Sequence, residues 1–329
     1  MNCSYCRISK NYVNKPNEYK DLSYFYKNEI STEDIISTLY LFKRHNPDIF
    51  HIFYGGEPLL RDDLAKIINY CNDNDINYTL ITNYSGEIKS KFKELLNNIS
   101  YLKSLTVSID PIILSDKIYD EDIFKKSLEG FFNISEYVGY IDDLVAEITV
   151  TKESLSYLYP LVKILTRIGI NSDITFLDIS KNNFYDFSNI TSYDNMVFKS
   201  SELCEIFEKM MEENLSINMR DDFLPIIFKH LPSNNDCKID EEVHNITIDS
   251  DGSIRLCLRI MGIDTPKKFN IKNLLDKTGT LNLNLKNSFK EDKNKLCEKC
   301  NWTCMIHSKI LNENDEMIDD LLLDLLHKN

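Results

Sequence analysis

Hydrophobic positions along the chain switch repeatedly between two spacings. In some segments apolar residues recur three and four positions apart, which indicates helices with one buried face. Between these segments lie short apolar runs of strand length. The predicted helices are 31–46, 64–71, 88–98, 121–138, 154–168 and 201–213, and the predicted strands are 48–54, 78–82, 105–109, 145–151 and 173–177.

Strands that alternate with helices of this length indicate βαβ units and therefore a parallel sheet. Ser31 or Thr32 is predicted to cap the first helix, and Asn46 followed by Pro47 to stop it. Cys71 continues the apolar series of the second helix, so it is expected to be a core residue rather than a reactive thiol.

The C-terminal part of the chain has a different pattern. An Asn-, Ser- and Asp-rich connector is expected at 184–195, and a β-hairpin at 245–256 around the turn Asp251-Gly252. The last helix is predicted at 317–326. The predicted domains are an α/β domain at 1–195, a helical linker at 196–236, a cysteine-rich α+β module at 237–310 and a C-terminal helix at 311–329.

Composition narrows the functional classes. The chain has 329 residues, 43% of them hydrophobic, and a formal net charge of -14, which argues against a nucleic-acid surface. No apolar run reaches the roughly 20 residues that span a bilayer, and no signal peptide is visible, so a cytoplasmic protein is expected. Its nine cysteines are therefore more consistent with ligands and core residues than with disulfides.

Two short motifs carry candidate chemistry. Cys3 and Cys6 form a Cys-x2-Cys pair, which suits an iron-sulfur cluster, a zinc site or a redox pair. Gly55 and Gly56 close a predicted strand and allow a ligand to approach the backbone, and the following Glu57 can pair with an ammonium. Together, Cys-Ser-Tyr-Cys and Gly-Gly-Glu-Pro resemble the radical S-adenosylmethionine (radical SAM) enzymes.

The resemblance implies a partial (β/α)6 TIM-like barrel whose first strand would lie upstream of the cysteines. In that family, Cys-x3-Cys-x2-Cys holds a [4Fe-4S] cluster with one open iron that binds S-adenosyl-L-methionine. Cys3 and Cys6 match the last two ligands, and the first would fall before Met1. The sequence is interpreted as one that begins too late, and the alternative is a relative that has lost its cluster.

The same resemblance assigns the cofactor contacts. It places Tyr5 at the adenine and the segment Gly55, Gly56, Glu57 and Pro58 at the methionine amino group. Polar residues at two later strand ends would touch the ribose or the methionine part, namely Thr82, Asn83, Ser108 and Asp110. Ordinary polar strand ends are an equally good interpretation of these four.

A second cysteine group follows at Cys237, Cys257, Cys297, Cys300 and Cys304. A hairpin brings its flanking cysteines together, and a later Cys-x2-Cys can complete a four-thiolate site. The order resembles the SPASM and twitch extensions of radical SAM enzymes, which carry auxiliary [4Fe-4S] clusters. One auxiliary cluster is expected, with Cys304 as substitute or bystander. A four-cysteine zinc site is the main alternative, and disulfides are a weaker one.

The function implied is reductive cleavage of S-adenosylmethionine to a 5'-deoxyadenosyl radical that abstracts hydrogen from a substrate. The substrate would be a peptide, a protein side chain or a small molecule, and the electron donor a flavodoxin or ferredoxin. No nucleic-acid or membrane partner is expected. The rival hypothesis is a catalytically dead peptide-binding relative with a structural zinc site.

Overall fold

The computed structural model describes residues 29–54, 57–83, 95, 99–109, 129, 131, 143–150, 154–176, 200–217, 246–248, 250–252, 254–255 and 270–271. The chain divides into two compact units, of which the first contains a parallel sheet and the second a β-hairpin. Most of the predicted helices 88–98 and 121–138, the connector 184–195 and the helix 317–326 lie outside the described residues. Leu95, Glu129 and Phe131 are helical.

Five strands form the sheet of the first unit, paired in parallel in the order in which they follow along the chain. They are β1 (His51–Phe53), β2 (Tyr78–Thr82), β3 (Leu102–Ser108), β4 (Asp143–Val150) and β5 (Asn171–Phe176). The prediction of a parallel α/β sheet is confirmed. Consecutive parallel neighbours are also what a partial TIM-like barrel requires.

The two faces of the sheet differ in polarity. Residues paired across parallel strands share a face, and one face carries the row Leu80, Leu105 and Leu144, all buried. The other face carries the row Ser108, Glu147 and Asp173, all half-buried. Fully apolar strands would be expected if both faces were packed against helices. The polar row therefore indicates a face that can accommodate a ligand.

Helices α1 (Thr32–His45), α2 (Leu64–Asp73) and α3 (Leu155–Arg167) accompany the strands. Ser31 caps α1, since its side chain accepts a hydrogen bond from the amide of Asp34, and Asn46 ends it, as predicted. Cys71 is fully buried on the apolar face of α2. Burial raises the pKa of its thiol to about 12, so Cys71 is a core residue, as predicted.

Three helices end in the same kind of turn. Asp75, Gly169 and Asn214 have positive φ angles after α2, α3 and α4 (Ser200–Glu212). The next residue then donates back into the last helical turn, as in the bond from Ile76 N to Cys71 O at 2.9 Å. These turns are why α2 and α3 lead directly into the strands that follow them.

A further parallel pairing occurs where the chain returns after α4. Ile217 forms a parallel bridge with Ser172 of β5, and the Ser172 amide donates to Ser216 O at 3.0 Å. The Ser216 amide in turn donates to the Thr166 hydroxyl at 2.8 Å. This extension of the sheet beyond β5 was not predicted from the sequence.

The second unit contains the predicted hairpin. Strands β6 (Thr247–Ile248) and β7 (Ile254–Arg255) pair antiparallel, and Gly252 in the connection has φ +80°. Ile271 donates its amide to Gly252 O at 2.9 Å. The hairpin prediction is confirmed, whereas the cysteines that would flank it lie outside the described part of the chain.

Candidate active site

The Glu57 carboxylate lies at the carboxyl end of β1 and is held by three donors. Oε1 accepts from the Thr82 hydroxyl at 2.7 Å and from the Leu59 amide at 3.1 Å. Oε2 accepts from the Asn83 amide at 2.8 Å. Three predicted site residues, Glu57, Thr82 and Asn83, are thus brought into direct contact across 25 and 26 positions of sequence.

Local sequence explains this placement. Glu57 precedes a single turn of 3-10 helix, Pro58–Leu60, and caps it through the bond to the Leu59 amide. Pro58 at the first helical position has the required φ and lacks an amide that would need a partner. Thr82 is the last residue of β2 and is 1% exposed. Its hydroxyl therefore donates to Glu57 from a buried position at the end of the strand.

The electrostatics of Glu57 favour a positive ligand. Burial raises the pKa of the carboxyl, and the bonds from Thr82, Asn83 and Leu59 offset that shift only in part. All three donors are neutral. A carboxylate has about four acceptor positions, so one is left beyond the three used within the described residues. A cation placed there would relieve the cost of burying the charge.

A second polar group lies on the next strands. Asn83 and Ser108 directly follow Thr82 and Val107, which are paired across β2 and β3. Ser108 Oγ donates to Glu147 Oε2 at 3.5 Å, and Glu147 is paired across the sheet with Asp173. Glu147 and Asp173 were not predicted as site residues. The available signal was the position of Glu147 as a charged residue inside the apolar run of β4.

Most of the other predicted site residues lie in stretches that the structure does not describe. Tyr5, Gly55, Gly56, Asp110 and all seven predicted cysteine ligands fall outside the described residues. Within the described ranges, no three His, Cys, Asp or Glu side chains converge on a point where a metal ion could bind. None of the helices in those ranges is long and apolar enough to cross a membrane.

Comparison with known proteins identifies the fold. No protein-family model matches the sequence, and no curated protein matches it. Among solved structures, SuiB from Streptococcus suis superposes with a TM-score of 0.53 at 16% identity, over 73% of this chain and 57% of SuiB. SuiB bound to the precursor peptide SuiA gives 0.52 at 17% identity, over 72% of this chain and 55% of that protein.

A second neighbour covers more of both chains. Native anSMEcpe with bound AdoMet (S-adenosylmethionine) and the Cp18Cys peptide superposes with a TM-score of 0.52 at 16% identity, over 91% of this chain and 84% of anSMEcpe. SuiB has also been solved bound to S-adenosylmethionine. The chain shares the fold of these two proteins, and it spans little more than half the length of SuiB.

Proposed function

We propose that this protein is a radical SAM enzyme that cleaves S-adenosylmethionine reductively and removes a hydrogen atom from a peptide. The neighbours that share its fold are radical SAM enzymes. SuiB was solved with a precursor peptide, and anSMEcpe with both S-adenosylmethionine and a peptide. The observation that carries the proposal is the Glu57 carboxylate, half-buried at a strand end among neutral donors, with one acceptor position that the described residues do not use.

The chemistry of the donor set fits S-adenosylmethionine. Its methionine part presents an ammonium, which suits the remaining acceptor position on Glu57. Its ribose presents hydroxyl groups, which suit the half-buried polar side chains of Asn83 and Ser108 at neighbouring strand ends. We assign the ammonium to the segment Gly55 to Pro58, the adenine to Tyr5, and the ribose or methionine part to Thr82, Asn83, Ser108 and Asp110.

The chain's own residues would bind and orient rather than react. Thr82 and the amides of Asn83 and Leu59 hold both oxygens of Glu57, so the carboxylate cannot rotate away from the strand end. A [4Fe-4S] cluster held by the chain's thiolates would supply the electron that cleaves the sulfonium of S-adenosylmethionine, and the resulting 5'-deoxyadenosyl radical would take hydrogen from the substrate. The polar row on β3 to β5 would then face the substrate.

Two sets of thiolates complete the proposal. Cys3 and Cys6 would hold the cluster that binds S-adenosylmethionine, and a ferredoxin or flavodoxin would reduce it. One auxiliary [4Fe-4S] cluster would be bound by Cys237, Cys257, Cys297 and Cys300. Cys304 would be either a substitute ligand or a bystander. Thiolates are the usual ligands of such clusters.

The proposal is tested with anaerobically reconstituted protein made from the full gene. With dithionite and S-adenosylmethionine, we expect 5'-deoxyadenosine in mass spectrometry, and visible absorbance with iron for about two clusters per chain. Incubation with small peptides encoded nearby should leave one of them changed in mass.

A variant with Cys3→Ala and Cys6→Ala is the matched control, since it should keep the auxiliary iron and lose 5'-deoxyadenosine. Equal product from this variant and the unaltered chain would contradict the assignment of the first cluster. Stoichiometric zinc in place of iron would favour a peptide-binding relative without catalysis.

A further inference from the structure

Arg61 joins two parts of the chain that are 31 positions apart. Its Nη1 forms an ion pair with Glu29 Oε1 at 2.8 Å, and its Nη2 donates to Ile30 O at 3.0 Å. Glu29 and Ile30 precede α1 and are the first described residues after the segment that carries Cys3 and Cys6. The Arg61 side chain is only 15% exposed, so these contacts are largely shielded from water.

At its other end, Arg61 is fixed to the element that begins with Glu57. Its amide donates to Pro58 O at 3.0 Å, and the Leu60 amide donates to Glu57 O at 3.0 Å. Glu57 and Arg61 are therefore the two caps of one helical turn. The same short turn therefore positions both residues.

Asp63 contacts the Arg61 guanidinium through both of its carboxylate oxygens. Its Oδ2 accepts from Arg61 Nη2 at 2.9 Å and from the Thr32 hydroxyl at the start of α1, and its Oδ1 lies 2.6 Å from Arg61 Nε. Asp63 is also the residue before α2, where an aspartate normally caps the helix. Its side chain makes no capping bond there. The carboxylate instead binds Arg61 and Thr32.

We propose that Arg61, held by Asp63, is a positioning residue that fixes Glu29 and Ile30, directly before α1, against the helical turn that presents Glu57. This rests on the proposed function, because the turn presents Glu57, the residue proposed to bind the S-adenosylmethionine ammonium. The contacts need a planar guanidinium, since one group must reach a carboxylate, a backbone carbonyl and a second carboxylate at once. The compact ammonium of a lysine cannot satisfy all three.

The test compares Arg61→Gln and Arg61→Lys with Lys163→Met, which removes an ion pair with Glu213 elsewhere in the same unit. Hydrogen exchange is measured on the full chain at the amides of Leu59, Leu60 and Asn83, with Val107 as a core reference. We expect Arg61→Gln to speed exchange at the first three about tenfold, with Val107 unchanged. Arg61→Lys should give exchange rates between those of Arg61→Gln and the unaltered chain. Lys163→Met should change the exchange rate at none of these amides.

S-adenosylmethionine affinity is measured on the same reconstituted proteins by equilibrium dialysis. Arg61→Gln should weaken it about tenfold, because losing charge-assisted bonds at the turn lets Glu57 leave its position. Faster exchange confined to residues 33–36, with Leu59, Leu60 and the affinity unchanged, would overturn the proposal. Equal acceleration at Val107 would also overturn it, since that indicates a loss of global stability.

The two proposals fail in different ways. If the unaltered chain does not bind S-adenosylmethionine, the proposed function fails. The exchange pattern still decides whether Arg61 controls the position of Glu57.

Discussion

Two carboxylates six positions apart, Glu57 and Asp63, have opposite electrostatic environments. Each stands directly before a helix, and each is held by hydrogen bonds across the fold. Glu57 receives only neutral donors, and burial raises its pKa. Burial also acts to raise the pKa of Asp63, but the hydrogen bonds from Arg61 and Thr32 and the charge of Arg61 outweigh it and lower that pKa.

The difference separates a structural carboxylate from one suited to a ligand. Asp63 has its cation within the chain, so nothing further is needed to stabilise its charge. Glu57 has an unused acceptor position and no cation among its described partners. Its charge is therefore stabilised most when a positively charged group binds there. A half-buried carboxylate that is held by neutral donors and keeps one acceptor position is therefore a better candidate for ammonium binding than one in an ion pair.

The largest effect is expected when Glu57 is removed. Glu57→Ala would leave the Thr82 hydroxyl and the amides of Asn83 and Leu59 without their acceptor, at a cost of roughly 3 kcal/mol after allowing for water entry. Urea unfolding measures this loss, and S-adenosylmethionine binding should disappear with it. Unchanged stability and unchanged affinity in this variant would show that Glu57 neither stabilises the fold nor binds S-adenosylmethionine.

His51 shows the effect of burial on a side chain in which one ring nitrogen has no hydrogen-bond partner. Burial, followed by the charge of Lys43, lowers the pKa of His51 to about 4, and its buried Nε2 has no hydrogen-bond partner. The folded state keeps this imidazole neutral. The contribution of His51 to the free energy of unfolding is therefore fully present above about pH 6.5 and is lost as the pH falls toward 4. We expect His51→Phe to remove roughly 2 kcal/mol of acid destabilisation over that window.

The measurement is the midpoint of chemical unfolding as a function of pH. Phenylalanine is a reasonable replacement because His51 already packs near Phe42, with ring centroids 6.0 Å apart. Parallel pH profiles for the variant and the unaltered chain would show that His51 is not the titrating group.

The comparison of the two carboxylates is tested most directly by Asp63→Asn and Glu57→Gln. Asp63 has a lowered pKa, so its contribution is present above about pH 4 and is lost as the pH falls through the folded value. Asp63→Asn should therefore cost about 1 kcal/mol at pH 7 and less in acid. Glu57 has a raised pKa, so its contribution is largest in acid and falls as the pH rises.

The stability difference between each variant and the unaltered chain should consequently change with pH in opposite directions. Unfolding free energies from pH 3 to 7 measure both slopes. Slopes of the same sign would contradict the electrostatic distinction drawn between the two sites.

The smallest effect is expected at Ser108. Its bond to Glu147 is 3.5 Å long, at the limit for a hydrogen bond, so Ser108→Ala should change stability by no more than about 0.5 kcal/mol. If Ser108 contacts the cofactor as proposed, the same variant should weaken S-adenosylmethionine binding, measured by equilibrium dialysis. Unchanged affinity would limit the site to Glu57 and its neighbours.

The sequence predicts the sheet well because its strands are apolar and separated by regular helices. It misplaces the start of β3, which begins at Leu102 rather than at residue 105. Lys103 is exposed and Ser104 half-buried at an irregularity of the β2–β3 register, so the hydrophobic pattern does not reveal them as strand residues. The Ile217 bridge was missed for a related reason, because a single paired residue has no periodicity.

The candidate site could be predicted only where its residues are adjacent in sequence. Gly-Gly-Glu-Pro is a local pattern, and Thr82 and Asn83 stand at a recognisable strand end. Arg61 and Glu147 were missed because their roles depend on contacts 31 and 39 positions away. Such contacts follow from the sheet register and the helix packing, which short motifs do not encode.

The pairing of Ser172 with Ile217 has a practical consequence for dissecting the protein. Any shortened version that stops before residue 216 would remove the bridge on this side of β5 and leave the Ser172 amide available to another chain. We expect such fragments to aggregate during purification, and fragments that extend past this residue to stay monomeric in solution.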